Sequence, residues 1–462
     1  MFSKISERQM HRIRWILILG WLILIASLFF DPITPPLTEP SNTLSPFKLD
    51  PNVCIKVQEV CLQEQPYPVG ARIFWAAIVP CSIFILLVWG HEFWRRICPL
   101  SFVSQIPRTL GIQRRYKRVN PLTGKISYKS SKVKKNSWLA RNYLYLQFSC
   151  FYLGLCTRLL FVNTTGWVLG SFLVLTIICA IAVGYLYDGK SWCNYFCPMS
   201  PVQKIYSEPR GLLTSAAHQT PNKTITQSMC RTVDSQGEEK SDCVACQTPC
   251  IDIDAERSYW TDISKPNRKL LYYSYIGLVF SFYFYYYLYA GNWDYYYFGA
   301  WTHEENLLNT LFKPGFYIFD TPIPIPKILA VPLTLGFFGL ASYVIGLKLE
   351  KYYKNYLARK KIAIPKELIE HRMFTLCTFL VFNLFFVFGG RPTVRLLPIS
   401  LQYLFNALII FVSTMWLYRT WGRSPQIYLR ESLAVRFPKK IRKLRLHNSW
   451  YLKVRSFNRI KK

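Results

Sequence analysis

Apolar runs close to 20 residues long recur along the chain, and they decide most of what it can become. Eight of them are legible, near 13–30, 71–90, 140–162, 166–187, 270–290, 328–348, 373–390 and 401–418. A helix of about 20 residues crosses roughly 30 Å of hydrocarbon. Inside hydrocarbon the backbone must satisfy its own hydrogen bonds, which leaves helices for runs of this length. The expected fold class is therefore an all-α polytopic membrane protein with about eight transmembrane helices. The first run follows a basic start, Lys4, Arg8, Arg12 and Arg14. It is too long for a secretory signal, and Phe29-Phe30-Asp31-Pro32 offers no small-residue cleavage site, so it reads as a retained helix.

The formal charge of +32 raises nucleic-acid binding first. The distribution argues against it, because the cations lie in blocks between apolar runs and no nucleic-acid recognition motif is present. Loop 91–138 carries twelve Lys or Arg against one acid, loop 349–372 seven against three, and the tail from Arg419 fourteen against one. The alternate loops are acidic: 31–70 has five acids and two lysines, and 292–327 has four acids and two lysines. Eight spans with both termini cytoplasmic place every basic block on the cytoplasmic side. The chain then divides into a basic start and first helix (1–30), an extracytoplasmic Pro-rich loop (31–70), helices two to four (71–187, with the basic loop 91–138), a cytoplasmic cysteine-rich loop (188–268), helices five to eight (269–418) and a basic tail (419–462). The segment KKIRKLRLHNSWYLKVRSFNRIKK in that tail has the composition of a stretch that lies on anionic lipid.

Six of the fourteen cysteines fall in one stretch that follows the fourth run: Cys193, Cys197, Cys230, Cys243, Cys246 and Cys250. Cysteines two and three residues apart can turn neighbouring thiolates toward one metal centre. Such a centre would crosslink a loop too small to build a core of its own. The ends of the second and fourth runs also repeat each other. Aligned on Cys98 and Cys197, WRRICPLSFVSQI and NYFCPMSPVQKI share C-P-[LM]-S-x-V-x-x-I. Each copy follows an outside-to-inside helix, which reads as a parallel duplication. Four residues before Cys197 stands Cys193; four before Cys98 stands Trp94.

A C-x3-C-P motif after a membrane helix, duplicated and followed by clustered cytoplasmic cysteines, resembles the NapH/NosR-type membrane iron–sulfur proteins. The Cys250-Ile251-Asp252-Ile253-Asp254 ending resembles the related FixG-type oxidase-assembly proteins. The resemblance spans about residues 71–255. It implies [4Fe–4S] binding and electron transfer at the cytoplasmic membrane face. The chain departs from those families in lacking a full C-x2-C-x2-C-x3-C-P motif.

An all-cysteine [4Fe–4S] cluster takes four thiolates. Cys243, Cys246 and Cys250 form the closest trio, and the fourth ligand stays open between Cys197 and Cys230, with Cys193 a further candidate and Cys98 a lesser one. A second cluster would draw on Cys193 and Cys197 with Cys98 or Cys230 and a non-cysteine ligand such as His91 or His218. The rival readings are a transporter or assembly factor with a structural zinc and a scaffold whose cysteines hold nothing. Haem is not expected, because no facing pair of histidines lies within the spans. ATP and NAD fingerprints are absent from the sequence. The chain thus reads as an electron-transfer component with a redox partner protein, rather than an enzyme with its own substrate. Cys54 and Cys61, on the oxidising side, read as a disulfide.

Overall fold

The computed structural model describes residues 7–62, 64–124, 126–163, 165–213, 231–233, 236, 239–241, 246–247, 249–252, 254–304 and 307–436. Cys230, Cys243, His218 and the tail beyond 436 lie outside the described residues. Among the described residues, seven helices are long and apolar enough to cross a membrane: Arg8–Phe29, Gly70–Val103, Trp138–Val162, Gly166–Leu186, Lys327–Arg359, Lys366–Phe388 and Ile399–Trp421.

The expected fifth span is the helix Pro266–Ala290, and it differs from the seven in kind. Its 25 residues would extend about 37 Å at 1.5 Å per residue. Eight of those residues are tyrosines, whose hydroxyls lower its hydropathy. Seven of the eight tyrosines are buried against protein, and Tyr287 is 37% exposed. Tyr273 donates to Glu350 at 2.8 Å, Tyr285 to the Gly315 carbonyl at 2.9 Å, and Tyr286 accepts from Asn163 at 2.7 Å. A phenol is costly to bury without a partner, so a helix this rich in them is stable only inside the bundle. It packs along Lys327–Arg359 and Lys366–Phe388 and forms the centre of the core.

That packing depends on close backbone approach. A Cβ at Gly277 would overlap the Phe338 carbonyl oxygen, and one at Gly346 would meet the Tyr273 ring. Small residues at such crossings replace hydrophobic drive with van der Waals contact. Gly277→Ala is expected to destabilise the protein by about 1–3 kcal/mol through overpacking, seen as a lower melting midpoint in detergent. An unchanged midpoint would mean that the two helices are not held this close.

The second apolar run continues past its expected end at 90. Residues Val79–Ile97 form one helix with a break at Gly90, whose φ of 72° is open to glycine at little cost. The break re-aims the segment from His91 to Ile97 toward the middle of the bundle, where His91, Arg95 and Arg96 are buried. At the opposite end of the bundle, the hairpin Lys56–Val57/Val60–Cys61 turns through Gln58 and Glu59, both at positive φ. The Cys54–Cys61 disulfide closes it, with the Cα atoms 5.4 Å apart. Gln58 donates its backbone N–H to the Ala290 carbonyl at 3.0 Å, which docks the hairpin on the end of the central helix.

Candidate metal centre

The two Cys-Pro sites have nearly the same backbone. Cys98 lies at φ −62°, ψ 117° and Cys197 at φ −58°, ψ 119°. The following proline excludes the helical region for the residue before it, so each cysteine ends a helical segment in an extended conformation. Cys98 N–H donates to the Trp94 carbonyl at 2.9 Å, and Cys197 N–H to the Trp192 carbonyl at 2.8 Å. The second reaches one residue further back because Trp192–Phe196 is a single π-turn. After each cysteine the chain turns so that backbone N–H groups donate to the sulfur, from Leu100 and Ser101 to Cys98 and from Met199 to Cys197. Such bonds favour the thiolate form that binds metal. The sequence repeat is therefore a repeat of conformation and of sulfur environment.

The fold brings the two copies together. The helix Gly166–Leu186 meets the first copy at Gly184, where a Cβ would overlap the Ser104 carbonyl oxygen. Cys193 and Cys197 are buried with Trp192 against Leu100, Val183 and Phe196, and Cys98 is half-buried. The sulfurs of Cys98 and Cys197 each lie close enough to Cys193 to feel its charge, and Cys197 also feels Cys98. Burial pushes the Cys197 thiol up, and its two cysteine neighbours push it further. In the metal-free protein that thiol is protonated at neutral pH, and metal binding releases the proton.

Cys246 and Cys250 approach the same turn. Asn194 donates Nδ2 to Cys246 Sγ at 3.4 Å, and the Tyr195 hydroxyl donates to the Cys246 carbonyl at 3.0 Å. The π-turn thus carries Cys193 toward the first trio and Asn194 and Tyr195 toward the second group. Burial, with Cys246 and Tyr143 as neighbours, raises the Tyr195 phenol to about 12.

A buried polar lattice fixes this arrangement. Asp252, two residues after Cys250, binds His91 Nε2 at 2.9 Å and Arg95 Nη1 at 3.6 Å. Arg95 also donates to Asn194 Oδ1 at 3.5 Å. Burial alone would raise the Asp252 carboxyl, but Arg95, Lys190 and His91 hold it far below the usual range, so it is ionised. The next alternate acids are anchored in turn. Asp254 accepts from the Tyr428 hydroxyl at 2.7 Å and from the Arg257 N–H at 2.9 Å. Glu256 is held by Arg423 at 2.6 and 3.1 Å. The segment after the second cysteine group is stapled to the bundle by every second residue.

The donor set fits an iron–sulfur cluster. Trp94 Nε1, Trp192 Nε1 and Arg95 Nε are buried donors with no hydrogen-bond partner among the described residues. They belong to the segments that carry Cys98 and Cys193. Cluster sulfides accept such bonds, and a neighbouring guanidinium offsets the negative charge of cluster and thiolates. Among the described residues, no three His, Cys, Asp or Glu side chains converge as ligands of a single metal ion. A cubane differs in taking one thiolate at each of four separate irons.

Residues 171–214 match the family model of a 4Fe-4S binding domain. The match contains Cys193-x3-Cys197-Pro198, most of the preceding helix Gly166–Leu186 and the following helix Ser200–Ser207; it includes neither Cys98 nor the Cys243–Cys250 group. No curated protein and no solved structure matches the chain.

The structure thus places Cys98 beside Cys193 and Cys197, although the sequence ranks it below the others. His91, one of the non-cysteine ligands on which a second cluster would draw, has its Nε2 engaged by Asp252 and is 2% exposed. Cys230 and Cys243 lie outside the described residues. Arg95, Lys190 and Asn194 escape the sequence reading, and Asp252 enters it only within the Cys250–Asp254 ending, with no role. The alternation Asp252, Asp254, Glu256 after the last cysteine was the available signal for that role.

Proposed function

We propose that this chain is a multi-pass membrane protein that carries a [4Fe–4S] cluster for one-electron transfer at its cytoplasmic face. The observation that carries the reading is the juxtaposition of Cys98, Cys193 and Cys197, the last two within a stretch that matches a 4Fe-4S binding domain. The proposed ligand set is Cys98, Cys193, Cys197 and Cys246. Trp94 occupies the place of a fourth cysteine in the duplicated motif, and Cys246, beside Asn194, supplies the thiolate that the first copy lacks. Cys250 and Cys243 are reserve ligands of the same loop. The seven apolar helices, with Pro266–Ala290 as the eighth crossing, and the basic blocks support a membrane location with both termini cytoplasmic.

The cluster, when bound, supplies a one-electron couple. The chain's own residues do the rest. Trp192 and Phe196 exclude water from the cysteines, Arg95 and the orphaned indole N–H groups stabilise negative charge there, and Asp252 fixes Arg95. Arg95 therefore tunes the potential. A unit charge about 10 Å away at an effective dielectric of about 20 contributes roughly 1.5 kcal/mol, which is on the order of 70 mV for one electron. Arg95→Gln is expected to lower the reduction potential by about that amount, read by potentiometric EPR. An unchanged potential would place the guanidinium outside the cluster's field.

The reading is tested by reductive titration of the anaerobically purified protein. It requires a signal that appears on one-electron reduction and disappears on reoxidation. Reduction without any reversible signal would overturn it.

A further inference from the structure

An open trough of ≈ 1230 Å³ lies directly against the Cys246 segment. Its floor includes Tyr143, Tyr195, Cys246, Gln247 and Pro249. One wall is the hairpin Arg115–Val119/Ile126–Ser130 with the residues that follow it. The volume exceeds the roughly 300–1,000 Å³ typical of small-molecule sites, and the shape suits an inserted protein surface.

Its charge is one-sided. Five basic residues line it, Arg114, Lys132, Lys134, Lys135 and Lys265, against two carboxylates. Both carboxylates already face cations: Asp188 lies 3.5 Å from Arg108, and Asp262 lies 2.7 Å from Lys265. Arg114, Lys134 and Lys135 are exposed, and so are Tyr116 and Tyr128, at 50% and 68%. Exposed aromatic rings among cations form the kind of patch on which a few side chains dominate binding.

We propose that this trough is the docking site for a small acidic one-electron carrier protein, which reaches the cluster over Cys246 and Tyr195. The proposal rests on the function proposed above, because it needs a cluster beneath Cys246. When the carrier donates, its own centre is oxidised by one electron and the chain's cluster passes from [4Fe–4S]2+ to [4Fe–4S]1+; no bond and no proton changes hands. A concave trough with a redox ligand in its floor favours a protein over a lipid surface, which is flat and needs no access to Cys246. Transient electron-transfer contacts are small and rely on charge to speed encounter, so their rates fall with ionic strength.

The test uses the full-length protein in detergent and a reduced acidic [2Fe–2S] ferredoxin as the probe, mixed in stopped flow. The variant combines Arg114→Glu, Lys134→Glu and Lys135→Glu. The wild type is expected to show a second-order rate that falls steeply as salt rises. In the variant the low-salt rate should drop at least tenfold and the salt dependence should flatten or reverse. Iron and sulfide content, and reduction by dithionite, should be the same in both. Equal rates in variant and wild type would overturn the proposal. So would a variant that keeps its rate and instead loses co-sedimentation with vesicles containing anionic lipid. A wild type that purifies without iron and sulfide would overturn the cluster reading itself, and the metal analysis of the same preparation distinguishes that failure from failure of the docking site.

Discussion

The Cys197→Ser variant is expected to purify without iron while keeping its helical circular dichroism. Cys197 is buried, accepts a backbone hydrogen bond at its sulfur and lies beside both other cysteines of the first trio. A serine hydroxyl is a poor substitute for thiolate, and iron–sulfur clusters are held by thiolates. Cys98→Ser is the sharper member of the pair. If Cys98, Cys193, Cys197 and Cys246 hold the cluster, its iron content collapses as well. If instead the cluster sits on Cys243, Cys246, Cys250 and Cys230, Cys98→Ser keeps its iron, and the proposed ligand set is wrong. Cys377→Ser serves as the control, because that cysteine is buried in the core away from the site and acts as a small apolar side chain.

The second large effect is expected at Asp252. Replacing it by alanine leaves Arg95 and His91 buried without their carboxylate. Breaking a buried pair by removing one partner typically costs about 3–5 kcal/mol. The same change unfastens the segment behind Cys250, so cluster retention should fall together with stability. Thermal unfolding in detergent gives the first effect, and loss of iron during brief exposure to air gives the second. Asp252→Asn keeps one acceptor for His91 and removes the charge facing Arg95, so it should lie between wild type and alanine. Wild-type melting and wild-type iron retention in Asp252→Ala would show that the lattice does not hold the loop.

How far the sequence foretells this arrangement depends on the range over which each signal acts. Apolar runs are local, and the seven helices among the described residues that are long and apolar enough to cross a membrane all fall on runs expected from them. The central helix was expected at its position, but its role was not legible. An interfacial belt accounts for the outer end of a helix with eight tyrosines and packing for most of the rest, but the groups that hold the hydroxyls, Asn163, Gly315 and Glu350, lie far along the chain. The Cys-Pro duplication was legible because proline imposes the same turn on any cysteine before it. The importance of Cys98 was not, since spacing ranks cysteines by neighbours in sequence, and Cys98 finds its neighbours across a bundle. The same holds for the polar lattice. His91 and Asp252 are 161 residues apart, and no periodicity connects them. Gly90 is one of several glycines at the ends of apolar runs, and its positive φ has meaning only with the buried segment behind it in place.

The claim on which the rest depends is that the cysteines hold an iron–sulfur cluster, and metal analysis of the protein purified under strict anaerobiosis tests it most directly. The account predicts about four irons and about four acid-labile sulfides per chain, with no stoichiometric zinc. One zinc per chain and no sulfide would contradict it.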